Sequence, residues 1–173
     1  MKHSIRIISG NLRNRRINVI DRPLLRPTKE RLRETVFNWI GGTIVGSKVA
    51  DIFAGTGAYG IESISRGAQS CTFLDIDPLI TKNITKIVNQ LKINQSVEIL
   101  TGDLFLQKAS FLKKSKIIFA DPPFSYHKSF KKNLIQFLEK KTSKNCLLAL
   151  EFETNREFEL GSWKILRHTT AGN

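Results

Sequence analysis

The tetrapeptide Asp121-Pro122-Pro123-Phe124 combines residue types that can hold and orient a flat amine. It follows the apolar run at residues 116–120, which predicts a buried strand. Two consecutive prolines have no N–H groups and a fixed φ, so the chain leaves the strand as a stiff loop whose carbonyls have no local donor. Asp121 and the Pro122 carbonyl can accept the two hydrogens of an exocyclic NH2 group, while Phe124 stacks on the ring that carries it. The structural alternative is a surface turn that ends a strand.

A glycine-rich segment at residues 49–60 supplies a second candidate site. Its pattern predicts a buried strand, a tight turn and a helix over residues 58–66. Gly55, Gly57 and Gly60 spell G-x-G-x-x-G, the turn that lets a backbone approach the pyrophosphate of a dinucleotide. The motif alone is consistent with a nicotinamide cofactor and equally with S-adenosylmethionine.

Two acidic residues near this segment bear on the choice of ligand. Asp75 closes the next predicted strand, twenty residues after Gly55, where an acid can accept hydrogen bonds from ribose hydroxyls. Asp51 lies inside the strand before the glycines, and a buried carboxylate is costly unless it is paired. The ammonium of a methionyl group could be that partner, which favours S-adenosylmethionine. The N–H groups of the glycine turn are the alternative partner.

The chain is strongly basic: its 173 residues carry 28 Lys and Arg against 15 Asp and Glu, a net charge of +13. This balance indicates a polyanionic partner, because a basic surface gains affinity by displacing counterions from phosphates. Residues 1–33 and residues 108–144 each hold ten basic residues against two acids. The second ten are all lysine and are equally consistent with a solvated helix face. The first segment is rich in arginine, which pairs with phosphate and stacks on bases. Its candidate RNA contacts are Arg6, Arg13, Arg15, Arg16 and Arg26.

Composition also bears on compartment and metal content. Cys71 and Cys146 fall in predicted core strands that lie three strands apart, about 14 Å by strand spacing and too far for a disulfide. Two unpaired thiols favour a reducing cytoplasm. No stretch is apolar enough to span a membrane, and the first residues lack a signal-peptide core. His3, His127 and His168 do not have the spacing of a metal site, so we predict no metal.

Strands and helices alternate along the chain without repeats or low-complexity linkers. This alternation predicts one α/β domain over residues 1–173, built on a doubly wound, mostly parallel sheet. Residues 1–22 form a basic extension that is predicted to be a small hairpin around Ser9-Gly10-Asn11. After the strand that precedes the glycines, the predicted strands are residues 71–74, 97–100, 116–120, 146–152 and 163–169.

Helix signals separate these strands. Thr28 is the predicted N-cap of a helix that ends at Gly41-Gly42, and Asp77 caps a helix that begins at Pro78. A short helix precedes residue 116, and another covers residues 130–138. Ligands of such sheets bind at the carboxyl ends of the strands. Four acids fall at or near those ends: Asp51, Asp75, Asp103 and Asp121.

The order of these motifs resembles the class I S-adenosylmethionine-dependent methyltransferases that act on nucleobase amino groups. Two further segments are similar to the bacterial 16S ribosomal RNA guanine-N2 methyltransferase family: Arg6-Ile-Ile-Ser-Gly-Asn-x-Arg13 and Arg26-Pro-Thr-Lys-Glu-Arg-Leu-Arg-Glu-Thr-Val-Phe-Asn38. The resemblance covers nearly the whole chain. It implies a Rossmann-like sheet of seven strands in the order 3-2-1-4-5-7-6, the last antiparallel. The family continues past Asn173 with the strand that inserts between the fifth and the sixth, so that strand is expected to be missing here.

The same resemblance implies a role for each matched position. Gly55 and Gly57 would lie close to the methionyl part of S-adenosylmethionine, and Asp51 would pair with its ammonium. Asp75 would accept hydrogen bonds from both ribose hydroxyls, and Asp103 would hydrogen-bond to the adenine amino group. The other positions expected around the cofactor are Phe53, Ala54, Thr56, Ile76, Leu104 and, over the methionyl end, Thr28. The catalytic positions are Asp121, Pro122, Pro123 and Phe124. The expected substrate is 16S ribosomal RNA, free or in a 30S subunit or assembly intermediate, and the expected protein is a monomer.

Three other functions remain open from the sequence. A DNA or other RNA amino-methyltransferase, acting on adenine N6 or cytosine N4, would share the catalytic tetrapeptide, although the chain is short for a separate target-recognition region. A nicotinamide oxidoreductase would explain the glycines and Asp75, but it would not explain the segment from Asp121 to Phe124. A non-catalytic RNA-binding assembly factor would retain the basic surface and bind no cofactor.

Overall fold

A parallel sheet of five strands forms the centre of the protein. The computed structural model describes residues 4–19, 30–123, 128–151 and 159–170. The strands of the central sheet are β3 (Lys48–Ile52), β4 (Ser70–Asp75), β5 (Val97–Thr101), β6 (Ile117–Ala120) and β7 (Leu147–Leu150). They lie in the order β5-β4-β3-β6-β7, and each neighbouring pair is parallel.

Helices cover both faces of this sheet. They are α1 (Glu30–Ile40), α2 (Ala58–Ser65), α3 (Pro78–Leu91), α4 (Ser110–Lys114) and α5 (Lys128–Lys141), with 3₁₀ turns at Gly41–Ile44 and Asn94–Ser96. Alternate strand residues belong to two separate apolar clusters: Val49 and Phe119 pack with α1, α2 and α3, whereas Ala50 and Ile118 pack with α4 and α5. Burial on both faces explains why β6 is apolar at every position.

The strand order agrees with the first five positions of the expected sheet. In the expected numbering it is 3-2-1-4-5, and the order reverses between β3 and β6, where ligands of doubly wound sheets bind. The predicted strand at residues 163–169 is wrong, because these residues form no strand in the structure. The expected sheet explains the difference. In it, the sixth strand pairs with a seventh strand that lies next to the fifth, which is β7 here. The part of the chain that the structure describes has no strand on the outer side of β7, so residues 163–169 have no strand to pair with.

The N-terminal hairpin is present. Strands β1 (Ser4–Arg6) and β2 (Arg16–Asn18) pair antiparallel, with Ile5 opposite Ile17 and Arg6 opposite Arg16. Because side chains alternate along a strand, the two isoleucines face the core and the two arginines face outward. The hairpin therefore packs as a small second sheet on the α2 side of the protein.

The start of α3 and the state of the two cysteines agree with the sequence. Asp77 caps α3 by accepting from the Leu79 N–H at 2.8 Å, and Pro78 is the first helical residue, as predicted. Cys71 and Cys146 are both buried and free. In the described residues no helix is long and apolar enough to cross a membrane. Thr28 and Arg26 lie outside the described residues.

Candidate active site

Acidic side chains gather at the carboxyl ends of the five parallel strands. Asp75 is the last residue of β4, Asp103 comes two residues after β5, and Asp121 directly follows β6. Asp51 is the penultimate residue of β3, aligned with Phe73 on one side and Phe119 on the other. Four of the residues that the sequence singled out therefore lie along one edge of the sheet.

The glycine segment forms a tight loop between β3 and α2. Gly55 and Gly57 have φ values of 50° and 74°, a region that L side chains rarely adopt, and Gly57 is the N-cap of α2. Gly60 has a different reason to be glycine: a Cβ there would lie 2.2 Å from the Phe73 ring. The first two glycines shape the turn, and the third lets α2 pack closely on β4.

Phe53, between β3 and the glycines, has an unusual backbone for a bulky residue. Its φ is 95°, which is sterically unfavourable for any residue with a Cβ. The N–H groups of Phe53 and Ala54 both donate to the Leu74 carbonyl at 3.0 Å, which holds the strained turn against β4. Thr56 is buried and accepts from the Ala58 N–H at 3.3 Å. Strained backbone of this kind concentrates at functional sites.

Asp51 is almost fully buried, with 4% of its surface exposed. Its Oδ2 accepts from the Gly60 N–H at 2.9 Å, so the partner in the structure is the third glycine of the loop. Its Oδ1 makes no hydrogen bond to any described residue. Burial, followed by the nearby charges of Asp121 and Asp75, raises the pKa of Asp51 to about 8. Among the residues that the structure describes, the carboxylate form therefore has no positive partner, which a ligand cation at this edge would provide.

The raised pKa of Asp51 predicts a pH-dependent stability. Because the folded-state value of about 8 exceeds the usual one of 3.8, this group stabilises the fold at low pH, and that contribution is lost as the pH rises toward 8. Without cofactor, Asp51→Asn should raise Tm at about pH 8.5 by at least about 3 °C, or about 1 kcal/mol, with a smaller gain at about pH 5. Thermal melts of both proteins across this range check it. Parallel curves would show that Asp51 does not titrate in the fold.

Asp75 and Asp103 follow neighbouring strands and accept backbone hydrogen bonds. Asp75 accepts from the Gly55 N–H through Oδ2 and from the Asp77 N–H through Oδ1, both at 2.9 Å, and burial raises its pKa. Asp103 Oδ1 accepts from the Phe105 N–H at 2.8 Å. The residues after them differ: Leu104 is buried, whereas Ile76 is 61% exposed beside Asp75. An exposed apolar side chain at this edge can cover the face of a ring.

Asp121 is half-buried at the end of β6, followed by the buried Pro122 and the half-buried Pro123. Phe124 lies outside the described residues. The structure adds one residue that the sequence reasoning missed: Glu151, which follows β7 and hydrogen-bonds to Asp121 through its side chain. The sequence contained a signal that could have identified Glu151, because it is an acid at the end of a strand, like Asp51, Asp75, Asp103 and Asp121.

Three of the candidate RNA-binding arginines are exposed on the hairpin. Arg13, Arg15 and Arg16 all point into solvent, and Arg16 donates to Ser4 Oγ at 3.1 Å. Arg6 is about half exposed and forms an ion pair with Glu30 at the start of α1. Arg33, by contrast, is buried and donates to the Arg6 carbonyl at 2.8 Å. The basic N-terminal segment therefore contains a structural arginine beside its exposed ones.

The hairpin is fastened to α2 by polar contacts. Glu62, only 1% exposed, accepts from the Ile8 N–H at 2.7 Å, from the Ser9 N–H at 3.0 Å and from Arg66 Nε at 2.7 Å. The Asn11 N–H donates to the Ser65 carbonyl at 2.8 Å. The arginine-bearing hairpin is thus held on the helix that begins at the glycine loop.

The described residues contain no cluster of His, Cys, Asp and Glu that could hold a metal ion. The acids at the sheet edge are instead spread over successive strands, and Asp51, Asp75 and Asp103 each accept from backbone N–H groups. Such acceptors suit a ligand that presents several separate donors, such as an ammonium, hydroxyls and amino groups.

Comparison with known proteins agrees with this arrangement. Residues 5–173 match the family described as "Conserved hypothetical protein 95". The ribosomal RNA small subunit methyltransferase D of Buchnera aphidicola from Acyrthosiphon pisum is 40% identical over 151 residues, which cover 86% of this chain and 78% of the relative. The Escherichia coli protein of the same name is 33% identical over 176 residues, 97% of this chain and 85% of that one.

Solved structures give the same answer. The putative methyltransferase yhhF from Escherichia coli has a TM-score of 0.76 and 33% identity, covering 98% of this chain and 93% of its own. An RNA methyltransferase from Salinibacter ruber, solved with S-adenosyl-L-homocysteine, has a TM-score of 0.66 at 17% identity, covering 82% and 84%, and so shares the fold. The chain belongs to the family described as Conserved hypothetical protein 95, that of the bacterial ribosomal RNA small subunit methyltransferases D.

Proposed function

We propose that this chain transfers a methyl group from S-adenosylmethionine to the exocyclic N2 amino group of a guanine in small-subunit (16S) ribosomal RNA. The observation that carries the proposal is the position of Asp121 and its prolines, which leave β6 beside the strand that holds Asp51. The names of the relatives support ribosomal RNA as the substrate class. The choice of guanine N2 as the methylated atom is supported by the resemblance of the sequence motifs to the guanine-N2 methyltransferase family.

The acids at the sheet edge fit the parts of S-adenosylmethionine. Asp51 has one carboxylate oxygen without a hydrogen bond among the described residues, and an ammonium there would offset its buried charge. Both oxygens of Asp75 accept from backbone N–H groups, and because a carboxylate has about four lone-pair sites, it can still accept from a ribose hydroxyl. Asp103 would accept from the adenine amino group. Ile76, exposed beside Asp75, would cover the adenine face.

The chain's task in the reaction is to orient the amine. When bound, S-adenosylmethionine supplies a methyl group on a sulfonium, which is already a good leaving group. The N2 lone pair of guanine is delocalised into its ring, which makes the amine a poor nucleophile. Asp121 and the Pro122 carbonyl would accept hydrogen bonds from the two N–H groups, which favours a more pyramidal nitrogen with its lone pair directed at the methyl group. Phe124 would stack on the base. The target guanine must leave its stack or lie in a loop to reach these groups.

Cofactor binding tests the first half of this proposal. Asp75→Ala should weaken S-adenosylmethionine binding by about 1.5–3 kcal/mol, because hydrogen bonds to a charged acceptor are lost. Glu98→Ala, which removes an exposed carboxylate from the neighbouring β5, is the matched control and should bind normally. Calorimetric titration measures both. Unchanged affinity in Asp75→Ala would reject the ribose role, and absence of binding by the wild type would favour an assembly factor.

The hairpin arginines test RNA binding. Changing Arg13, Arg15 and Arg16 to Ala should weaken RNA binding and reduce the slope of log affinity against log salt by up to about three, while cofactor affinity stays unchanged. The matched control removes the same charge from exposed lysines, Lys113, Lys114 and Lys140. If the lysine variant loses as much slope as the arginine variant, contact is not specific to the hairpin. An unaltered slope in the arginine variant would exclude the hairpin as the RNA-binding element.

A further inference from the structure

Glu151 and Asp121 form a carboxyl pair at the edge of the sheet. Ala120 and Leu150 are the last aligned residues of β6 and β7, so Asp121 and Glu151 are the next pair along the two parallel strands. The Glu151 N–H donates to the Ala120 carbonyl at 3.0 Å, which fixes the backbone of Glu151 at that position. The two side chains are hydrogen-bonded to each other.

A hydrogen bond between two carboxyl groups requires a proton on one of them. A carboxylate has only acceptors, and two ionised carboxylates at contact distance repel each other. Asp121 is the group that must accept hydrogen bonds from the target amine, a task for the ionised form. The proton of the pair therefore belongs on Glu151. Its Oε2 is buried without a hydrogen-bond partner among the described residues, an environment that suits the neutral form.

We propose that Glu151 is a positioning residue, which donates a hydrogen bond to the Asp121 carboxylate and so holds it in the orientation that accepts from the target amine. This inference rests on the proposed function, since it assigns Glu151 to the same methyl transfer. Loss of the Glu151 proton would remove the donor and place two like charges side by side. The Asp121 carboxylate would then turn away, and the amine would lose its acceptor.

The groups that face Glu151 keep it protonated near neutral pH. Burial, followed by the charge and hydrogen bond of Asp121, raises the pKa of Glu151 to about 7. Tyr59 of α2 is a second neighbour: burial raises the pKa of its phenol, and Glu151, Asp121 and Asp51 add to the effect, while Arg33 acts in the opposite sense. The acids thus outnumber the bases on this side, and Glu151 is neutral below about pH 7.

The test is the pH dependence of single-turnover methyl transfer at saturating S-adenosylmethionine, measured on the full chain between about pH 5.5 and about pH 8.5. The wild-type rate should fall at least about tenfold above about pH 7, following the ionisation of Glu151. Glu151→Gln carries a permanent donor of the same shape, so its rate should remain within about threefold of the wild-type maximum and should not fall at high pH. Glu151→Leu should be slow at every pH.

Each outcome decides the matter. A wild-type rate that stays constant to about pH 8.5 overturns the proposal without any variant, which covers the case that Glu151→Gln fails to fold. A folded Glu151→Gln protein that keeps the high-pH fall also overturns it. Glu98→Gln is the matched control and should follow the wild type. If the wild type methylates no guanine at all, the proposed function fails first, and that result is distinct from a failure of Glu151.

Discussion

Asp121→Ala should lose methyl transfer by at least about a hundredfold, which is about 3 kcal/mol at the barrier. The reason is geometric. Asp121 leaves β6 beside β3, at the edge of the sheet where the target amine would lie, and its side chain is paired with that of Glu151. Single-turnover rates with saturating cofactor and RNA report this loss directly. Affinity for S-adenosylmethionine should hardly change, because the hydrogen bonds that we propose for Asp121 go to the target amine and not to the cofactor.

A matched variant separates orientation from structure. Asp121→Asn keeps one carbonyl acceptor at the same place, so its rate should lie between those of the wild type and Asp121→Ala. If the loop has only a structural role, Asp121→Ala will lower Tm and leave the rate per folded molecule intact. A less stable but fully active Asp121→Ala protein would overturn the mechanism.

Glu62→Ala should cost about 3–5 kcal/mol of folding free energy, the largest stability effect that we expect from a single change. Glu62 is buried and accepts from two hairpin N–H groups and from Arg66, all of which would lose their acceptor together. Alanine is a good helix former, so helix propensity does not contribute to the loss. Urea unfolding measures the free energy. Filter binding of RNA should show weaker affinity as well, because the hairpin arginines lose their attachment.

The exposed Glu98 again provides the control, since Glu98→Ala removes a carboxylate from a strand surface and should cost little. Gly10→Ala tests the same attachment from the other side: a Cβ at Gly10 would lie 1.8 Å from the Ser65 carbonyl oxygen. A Glu62→Ala protein that loses less than about 1 kcal/mol would mean that the apolar contacts of Ile5 and Ile17 and the hydrogen bond from Asn11 to Ser65 are enough to hold the hairpin.

Patterns with a direct physical cause allowed most of the fold to be predicted. Alternation of strands and helices predicted the parallel sheet, and the structure confirms its order over five strands. The Asp77-Pro78 start of α3 and the N-terminal hairpin are confirmed as well. Residues 163–169 show the limit. Their apolar content suits a strand, but a strand also needs a neighbour, and local sequence does not report whether one is present.

Site residues could be predicted where the local sequence carries the signal. They could not be predicted where the signal depends on a partner distant in sequence. Acids at strand ends and glycines in a turn are local signals. The Gly60 N–H that donates to Asp51 lies only nine residues along the chain, and the glycine turn was the alternative partner that the sequence offered. By contrast, the attachment of Ile8 and Ser9 to Glu62 and the pairing of Asp121 with Glu151 join segments far apart in sequence. Only the register of the sheet and the docking of the hairpin bring them together. The roles of the site residues in cofactor and base binding remain predictions.

Mapping the methylated base tests the central claim most directly. The protein is incubated with methyl-labelled S-adenosylmethionine and either deproteinised 16S RNA or 30S particles, and the RNA is digested to nucleosides and separated. We expect the label to appear in N2-methylguanosine, from a single nucleotide, and we expect Asp121→Ala to abolish it. Label in N6-methyladenosine or N4-methylcytidine, or no label in either substrate despite cofactor binding, would contradict it.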